Sequence, residues 1–129
     1  GLVFYTLGQR QGLGIGGVKG ASDLPWYVAK KDLQTNELTC VQGNNHPLLF
    51  SQELTTRNQF LLVDSLPQKF EGTAKVRYRQ KDQECEIHIL DNRLNIKFAS
   101  PQRSVTPGQS VVIYKDDKCL GGGEINTIN

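Results

Sequence analysis

A strict alternation of apolar and polar residues in the second half of the chain is the feature that most constrains its fold. The apolar residues occupy every second position in two runs: Cys85, Ile87 and Ile89, then Leu94, Ile96 and Phe98. Side chains of a β-strand point alternately to its two faces, so each run predicts a strand with one buried face. The polar stretch Asp91-Asn92-Arg93 separates the runs and predicts the turn of a β-hairpin.

Strand patterns dominate the rest of the chain too, and no long segment has the 3.6-residue period of an amphipathic helix. The other predicted strands are 2–7, 26–29, 37–41, 110–114 and a last one that starts at Cys119. We expect 26–41 to form a hairpin that turns near Thr35-Asn36. Thr106-Pro-Gly-Gln109 predicts a type II turn, because Pro107 fixes φ and Gly108 supplies a positive φ. Six or more short strands predict an all-β fold with a small closed barrel, since closure leaves no exposed strand edges.

The domain organisation is indicated by one polar stretch, Asn44-Asn-His-Pro47, which predicts a boundary. We expect residues 1–46 to be part of a small β-rich domain and residues 47–129 to form a carboxyl-terminal barrel. The composition, 37% hydrophobic and 22% charged, is typical of a soluble globular protein. No apolar run approaches the ~18 residues that span a membrane. The chain contains no Met and begins inside a strand pattern, so we expect it to be a piece of a longer protein.

Four basic residues also fall at every second position: Lys75, Arg77, Arg79 and Lys81. If 73–81 is a strand, these four share one face while Ala74, Val76 and Tyr78 point the other way. Neighbouring like charges repel one another unless something negative neutralises them, so one interpretation of this pattern is a nucleic-acid partner. The alternative is a solvated edge strand that its charges protect against aggregation. The net charge of +2 does not separate the two interpretations.

A glycine-rich segment, 5–17, contains Gly12, Gly14 and Gly17 in the G-x-G-x-x-G spacing of dinucleotide sites. Such a site needs a strand before it and a helix after it, whereas residues 18–25 are turn-rich. We interpret the segment as a tight turn in a β domain. Gln9 and Arg10 within it are open to a second interpretation, as contacts to a catalytic domain or to RNA.

The residues that most often carry catalysis form no recognisable constellation. His46 precedes a proline in a predicted turn, and His88 lies on the polar face of a predicted strand. The three cysteines, Cys40, Cys85 and Cys119, have neither C-x-x-C nor zinc spacing, so we interpret them as small hydrophobic residues in a reducing compartment. No phosphate-binding P-loop is present. We therefore expect no catalysis, cofactor or metal site in this chain alone.

Six motifs, spread in order over nearly the whole chain, carry a more specific signal. They are Tyr5-Thr-Leu-Gly-Gln-Arg10 with Gly12-Leu-Gly-Ile-Gly-Gly17, Pro25-Trp-Tyr-Val28 with Lys31-Asp32, Gln42-Gly43 with His46-Pro47, Lys75-Val-Arg-Tyr-Arg-Gln80, Val105-Thr-Pro-Gly-Gln-Ser110, and Cys119-Leu-Gly-Gly-Gly123. Together they resemble the carboxyl-terminal part of the tRNA-specific 2-thiouridylases, the enzymes that place sulfur on the wobble uridine of certain tRNAs.

The resemblance implies an activity for the whole enzyme and a place for this chain within it. The enzyme would activate the uridine with ATP and Mg²⁺ and transfer sulfur from a cysteine persulfide. A sulfur-relay protein or a cysteine desulfurase would be its partner, in the cytoplasm. The chain would contribute part of the small central domain and a barrel similar to the second domain of elongation factor Tu, which lies against the tRNA. The ATP-binding loop and the catalytic cysteines are absent, so we expect this chain alone to be inactive.

The resemblance also implies individual tRNA contacts. The matching positions are Arg77 and Tyr78 of the basic segment and Gln109 after the Pro-Gly turn, and Lys75, Arg79 and Lys81 would extend this surface. A regular strand would point Arg77 and Tyr78 to opposite faces, so both reach RNA only at a strand end, a bulge or an exposed edge. We expect weak, salt-sensitive tRNA binding from so few phosphate contacts.

Two functions of other classes compete with this interpretation. One is a non-catalytic β-barrel adaptor that docks a protein partner without direct RNA contact. The other is a translation-factor-like barrel from a different enzyme family. Binding of tRNA at two salt concentrations separates RNA contact from a pure adaptor role.

Overall fold

The computed structural model describes Leu7 and residues 24–129. It divides the chain into two compact units, Gly1–Phe50 and Ser51–Asn129. Apart from Leu7, the strand predicted at 2–7 and the glycine-rich segment lie outside the described residues. Among the described residues, no helix combines the length and the apolar character needed to cross a membrane.

The described part of the first unit is the hairpin predicted from the sequence. Strands β1 (Trp26–Asp32) and β2 (Glu37–Gln42) pair antiparallel. The turn between them is held by Asp32, whose Oδ1 accepts hydrogen bonds from the backbone N–H groups of Gln34 (3.0 Å) and Thr35 (3.1 Å). Asn36 closes the turn with a φ of 58°. A small apolar cluster packs beside the hairpin and contains Ala29, Val41 and Leu49, with Tyr27 and Phe50 at its edge.

The second unit is a closed antiparallel barrel of six strands, as the sequence predicts. The strands are β3 (Phe50–Leu61), β4 (Lys69–Lys75), β5 (Gln83–Leu90), β6 (Arg93–Arg103), β7 (Ser110–Lys115) and β8 (Lys118–Ile128). Their order around the barrel is β3-β6-β5-β4-β7-β8. Closure pairs every strand on both sides, so the fold removes the exposed edges that open sheets carry.

The hairpin that the apolar alternation predicts forms two neighbouring strands of this barrel, β5 and β6. Strands β5 and β6 pair with Ile87 opposite Ile96, and both side chains are fully buried. The two residues between the strands, Asp91 and Asn92, have φ values of 50° and 61°. Positive φ at both central residues is what a two-residue hairpin turn needs to match the twist of its strands.

Two glycine positions show why the barrel can close where it does. Gly121 and Gly122 of β8 lie against the backbones of β3 and β7, and a Cβ on either residue would overlap a carbonyl oxygen, that of Phe60 or Val111. Only glycine allows so close an approach of three strands. Gly108 has a φ of 93°, and the N–H of Gln109 donates to the Thr106 carbonyl (3.2 Å), so the predicted Pro-Gly turn is confirmed.

One predicted strand is wrong in its length. The alternation of basic residues predicts a strand over 73–81, but β4 ends at Lys75 and the chain then bends before β5 begins at Gln83. Ladder pairing with β7 also stops at Lys75, opposite Val112. Basic side chains at every second position therefore do not share one strand face here, because the residues after Lys75 form a turn.

Candidate nucleic-acid interface

The end of β4 and the start of β7 form an open cleft on the barrel. The two strands are antiparallel, and Lys75 pairs with Val112, so residues that follow β4 lie beside residues that precede β7. The cleft has a volume of about 650 Å³. We call it the β4–β7 cleft, and its lining residues are Lys75, Val76, Arg77, Tyr78, Gln109, Ser110, Val112 and Tyr114.

The 76–82 turn, which carries much of the cleft, is tied to β4 by Asp82. One carboxylate oxygen of Asp82 accepts from Thr73 Oγ1 (3.1 Å), and the other lies 3.2 Å from Lys75 Nζ. This pairing raises the pKa of the Lys75 ammonium group, first through the hydrogen bond and then through the negative charge. Lys75 Nζ also lies 5.3 Å from the centroid of the Tyr114 ring. Its charge is thus largely engaged within the protein.

Arg77 has a different environment. Its Nη2 donates to the backbone carbonyl of Arg103 (2.7 Å), which orients the guanidinium. The ion pairs found within residues 24–129 are Arg57–Glu124, Lys69–Glu86 and Lys75–Asp82, and none includes Arg77. Partial burial lowers the pKa of Arg77, and the nearby positive charge of Arg103 lowers it further. Both effects disfavour the charge, so an anion beside Arg77 would relieve them.

Tyr78 is the most exposed large apolar side chain in the described part of the molecule. Its relative exposure is 94%, while Val76 two residues earlier is buried. The strand pattern predicts Tyr78 on the same face as Val76, and that expectation is wrong because β4 ends at Lys75 and both residues lie beyond the strand. Beyond the end of the strand, Arg77 and Tyr78 are both exposed and line the same cleft, so the opposite-face geometry of a regular strand does not apply.

Gln109 completes the cleft from the other side. Its backbone is fixed against β8, because its carbonyl accepts from the N–H of Ile125 (2.7 Å) and the adjacent Gly108 N–H donates to the Ile125 carbonyl (2.8 Å). The side chain is exposed at the tip of the Pro-Gly turn. A rigid turn thus presents an amide, which can donate and accept hydrogen bonds.

The structure brings together four of the six residues singled out in the sequence: Lys75, Arg77, Tyr78 and Gln109. Arg79 and Lys81 are exposed on the 76–82 turn but do not line the cleft. Sequence reasoning missed Tyr114 and Asp82. Their roles depend on strand register and on the bend after β4, and neither leaves a periodic signal in the sequence.

Two other residues that often carry chemistry, His46 and Cys85, have structural environments in this fold. His46 Nδ1 accepts from the N–H of Leu48 (3.2 Å) and caps the short 3₁₀ turn Pro47–Leu49. Cys85 is buried in the barrel core, and burial raises its pKa to about 12. Within the described residues, no group of three or more His, Cys, Asp or Glu side chains is arranged to hold a metal ion.

Comparison with known proteins adds family information to this geometry. Residues 51–125 match the family model described as "Aminomethyltransferase beta-barrel domain", and residues 1–42 match the model described as "tRNA methyl transferase PRC-barrel domain". Two curated relatives are the tRNA-specific 2-thiouridylase MnmA of Francisella tularensis subsp. novicida (strain U112) and that of subsp. tularensis (strain SCHU S4 / Schu 4). Each is 57% identical to the chain over 127 residues.

The match covers 97% of this chain but 35% of each relative, so the chain spans about a third of the length of the curated relatives it matches. The barrel model alone covers more than half of the chain, and its residues coincide with the six-stranded barrel described above. On these grounds the chain belongs to the tRNA-specific 2-thiouridylase family.

Proposed function

We propose that this chain is the tRNA-binding and tRNA-positioning portion of a tRNA 2-thiouridylase. The observation that carries the proposal is the pairing of Arg77 and Tyr78 in the β4–β7 cleft. An arginine without a carboxylate partner among the described residues lies next to an almost fully exposed tyrosine. This combination suits a nucleic acid, since guanidinium groups bind phosphate and aromatic rings stack on bases or sugars.

Each residue has a role in this proposal that follows from its chemistry. Arg77 contacts a phosphate of the tRNA backbone, and its bond to the Arg103 carbonyl orients it before the RNA arrives. Tyr78 stacks on a base or a ribose, which offsets the cost of its exposure in the free protein. Gln109 hydrogen-bonds backbone or ribose oxygens from the opposite wall of the cleft. Arg79 and Lys81 add charge from the rim.

The activity of the complete enzyme is part of the same proposal. The full-length protein would use ATP and Mg²⁺ to activate the wobble uridine and would then transfer sulfur to it. A sulfur-relay protein or a cysteine desulfurase would supply the sulfur. Its tRNA substrate would place the enzyme in the cytoplasm. The share of the present chain is to orient the tRNA, and the chain alone would neither turn over ATP nor thiolate tRNA.

Equilibrium binding of tRNA to the chain at several salt concentrations tests the contacts. Tyr78→Ala should weaken binding by about 1–3 kcal/mol with an unchanged salt dependence, because stacking releases no counterions. Arg77→Ala should weaken binding and reduce the slope of log K against log salt by about 1. Arg93→Ala is the matched control, since Arg93 is an exposed arginine in the hairpin at the opposite end of β5.

The rival adaptor function makes the opposite prediction. If the barrel only docks a protein partner, replacing Arg77 or Tyr78 should leave tRNA binding unchanged. If Arg77→Ala, Tyr78→Ala and Arg93→Ala all bind tRNA like the unaltered chain, the cleft is not an RNA contact. A matching Tyr78→Phe variant separates the ring from its hydroxyl, and binding close to normal would identify stacking as the main contribution.

A further inference from the structure

A buried glutamine in the barrel wall is linked to the turn that carries Arg77 and Tyr78. We propose that Gln102 of β6 is a positioning residue, which holds the 76–82 turn in the shape that presents Arg77 and Tyr78 to tRNA. The proposal rests on the function proposed above. It adds a residue that does not line the β4–β7 cleft and contacts no RNA itself.

The link is a chain of side-chain amides. Gln102 Oε1 accepts from Gln80 Nε2 (2.8 Å), and Gln80 Oε1 accepts from the backbone N–H of Val76 (3.0 Å). On the other side, Gln102 Nε2 donates to Gln83 Oε1 (3.1 Å), and Gln83 Nε2 donates to the carbonyl of Lys81 (3.0 Å). This series of hydrogen bonds therefore ends on Val76, the first residue after β4, and on Lys81, shortly before β5. The two residues bracket the turn.

The burial of Gln102 restricts these hydrogen-bonded amides, and with them the 76–82 turn, to one geometry. Gln102 is only 5% exposed, so water does not readily replace its hydrogen-bond partners. Its Nε2 also donates to the Ser100 carbonyl (3.0 Å), which uses the second hydrogen of the amide. The amide thus has every donor bonded and its oxygen occupied by Gln80. Any movement of the turn leaves buried polar groups without partners, which is costly.

The effect on tRNA binding follows from population arithmetic. A turn with an exposed tip and few apolar contacts would sample many shapes if its ties were lost. Apparent affinity falls in proportion to the fraction of molecules in the competent shape. If loss of the amide chain leaves that shape in one molecule in ten, tRNA binds about tenfold more weakly. The number of phosphate contacts stays the same, so the salt dependence does not change.

The first measurement is independent of RNA. Hydrogen exchange of the chain is compared for Gln102→Leu, for Gln80→Leu, which breaks the same link from the turn, and for Gln52→Leu as a control. Gln52 is the control because its Nε2 also donates to β6, to the Phe98 carbonyl, but away from the turn. The Val76 amide should lose protection in the first two variants and keep it in the third. The amides of β5 and β6 should stay protected in all three.

The second measurement connects the turn to tRNA. We expect Gln102→Leu to weaken tRNA binding about tenfold in the unaltered chain. In a chain that also carries Arg77→Ala and Tyr78→Ala, the same substitution should change binding less than twofold, because it acts through those two residues. A general loss of barrel stability would weaken binding equally in both backgrounds.

The outcomes separate this proposal from the function on which it rests. Unchanged protection of Val76 in both Gln102→Leu and Gln80→Leu overturns the positioning role, as does an equal loss of affinity in the two backgrounds. Lost protection with normal tRNA affinity also overturns the positioning role. If the Arg77→Ala, Tyr78→Ala chain nevertheless binds tRNA more weakly, the proposed RNA contact still stands. Normal affinity of that doubly substituted chain overturns the RNA contact instead. Local loss of protection with a background-dependent loss of affinity supports the proposal.

Discussion

At the scale of single residues, Tyr78 shows how position in the chain decides the role of a side chain. Val76, two residues earlier, is buried in the barrel core, whereas Tyr78 is 94% exposed. The difference arises because β4 ends at Lys75, and Tyr78 belongs to a turn. An aromatic side chain in water at the tip of a tied turn gains from a partner that covers its ring.

Close backbone approach at Gly122 gives a prediction about stability. A Cβ at this position would overlap the carbonyl oxygen of Val111, and a backbone atom cannot move aside as a side chain can. We expect Gly122→Ala to lower the free energy of unfolding by about 3 kcal/mol. Chemical denaturation measures the change. Gly108→Ala is the control: its φ of 93° is strained for alanine but nothing lies within 4 Å, so it should cost about 1 kcal/mol. Equal costs at the two positions would contradict the packing argument.

Burial of Cys85 gives a prediction about reactivity. The thiolate is the reactive form, and a pKa raised to about 12 keeps this thiol protonated at pH 8. We expect Cys85 to resist alkylation in the folded chain and to react once the chain is unfolded in urea. Cys119, which is partly exposed, should react first. Mass spectrometry of the alkylated chain identifies the sites. Rapid modification of Cys85 at pH 8 without unfolding would show that the barrel core is open.

At the scale of elements, the strands and hairpins follow from local patterns, but the end of β4 does not. The alternation and the turn residues Asp91-Asn92 predict β5 and β6 because both signals are local and agree. The alternation of basic residues, by contrast, continues through Lys81 while the strand stops at Lys75. Beyond Lys75 the chain bends so that Thr73 bonds to Asp82, nine residues later, a contact that only the folded turn brings together.

The candidate site, like the strands, was predictable only where the sequence carries a local signal. Arg77, Tyr78 and Gln109 were found because their motifs resemble a family, and the register of β4 with β7 brings them to one cleft. Gln102 was not found, since its partner Gln80 is 22 residues away and a glutamine carries no periodic signal. The domain boundary placed between residues 46 and 47 stays a prediction.

The seam between β3 and β8 gives a pH prediction at the element scale. Glu124 of β8 lies opposite Arg57 of β3, with Arg57 Nη2 at 2.7 Å from its Oε1. Hydrogen bonds from Arg57 and then from Asn58 lower the pKa of Glu124 below its usual value. A lowered pKa in the folded state stabilises the fold above the unfolded value, and this contribution disappears as the pH falls through the folded value.

Two variants test that contribution. Glu124→Gln and Arg57→Gln should each be less stable than the unaltered chain at pH 7, and the differences should be smaller at pH 3, because the contribution is lost as the pH falls through the lowered pKa of Glu124. The effect should be small because both side chains are partly exposed to solvent. Denaturant midpoints at the two pH values provide the measurement. A difference that persists unchanged at pH 3 would mean that packing, and not the carboxylate charge, accounts for it.

At the scale of the whole molecule, the distribution of charge matters more than its sum. The net charge is only +2, yet Arg77, Arg79 and Lys81 lie within one turn at one end of β5. The barrel wall around Glu71, Glu84 and Glu86 has more acidic than basic residues, since Asp116 adds to them while Lys97 and Lys115 oppose them. A polyanion would therefore meet the barrel at the 76–82 turn in preference to that wall.

Site-specific photo-crosslinking from Tyr78 tests the central claim most directly. A photoreactive phenylalanine analogue would replace Tyr78 in one chain and, as a control, Leu90 in another, because Leu90 is an exposed apolar residue at the opposite end of β5. Irradiation with tRNA should join the RNA to the analogue at position 78 and not to that at position 90. Equal crosslinking from both positions, or crosslinking from position 90 alone, would contradict the account.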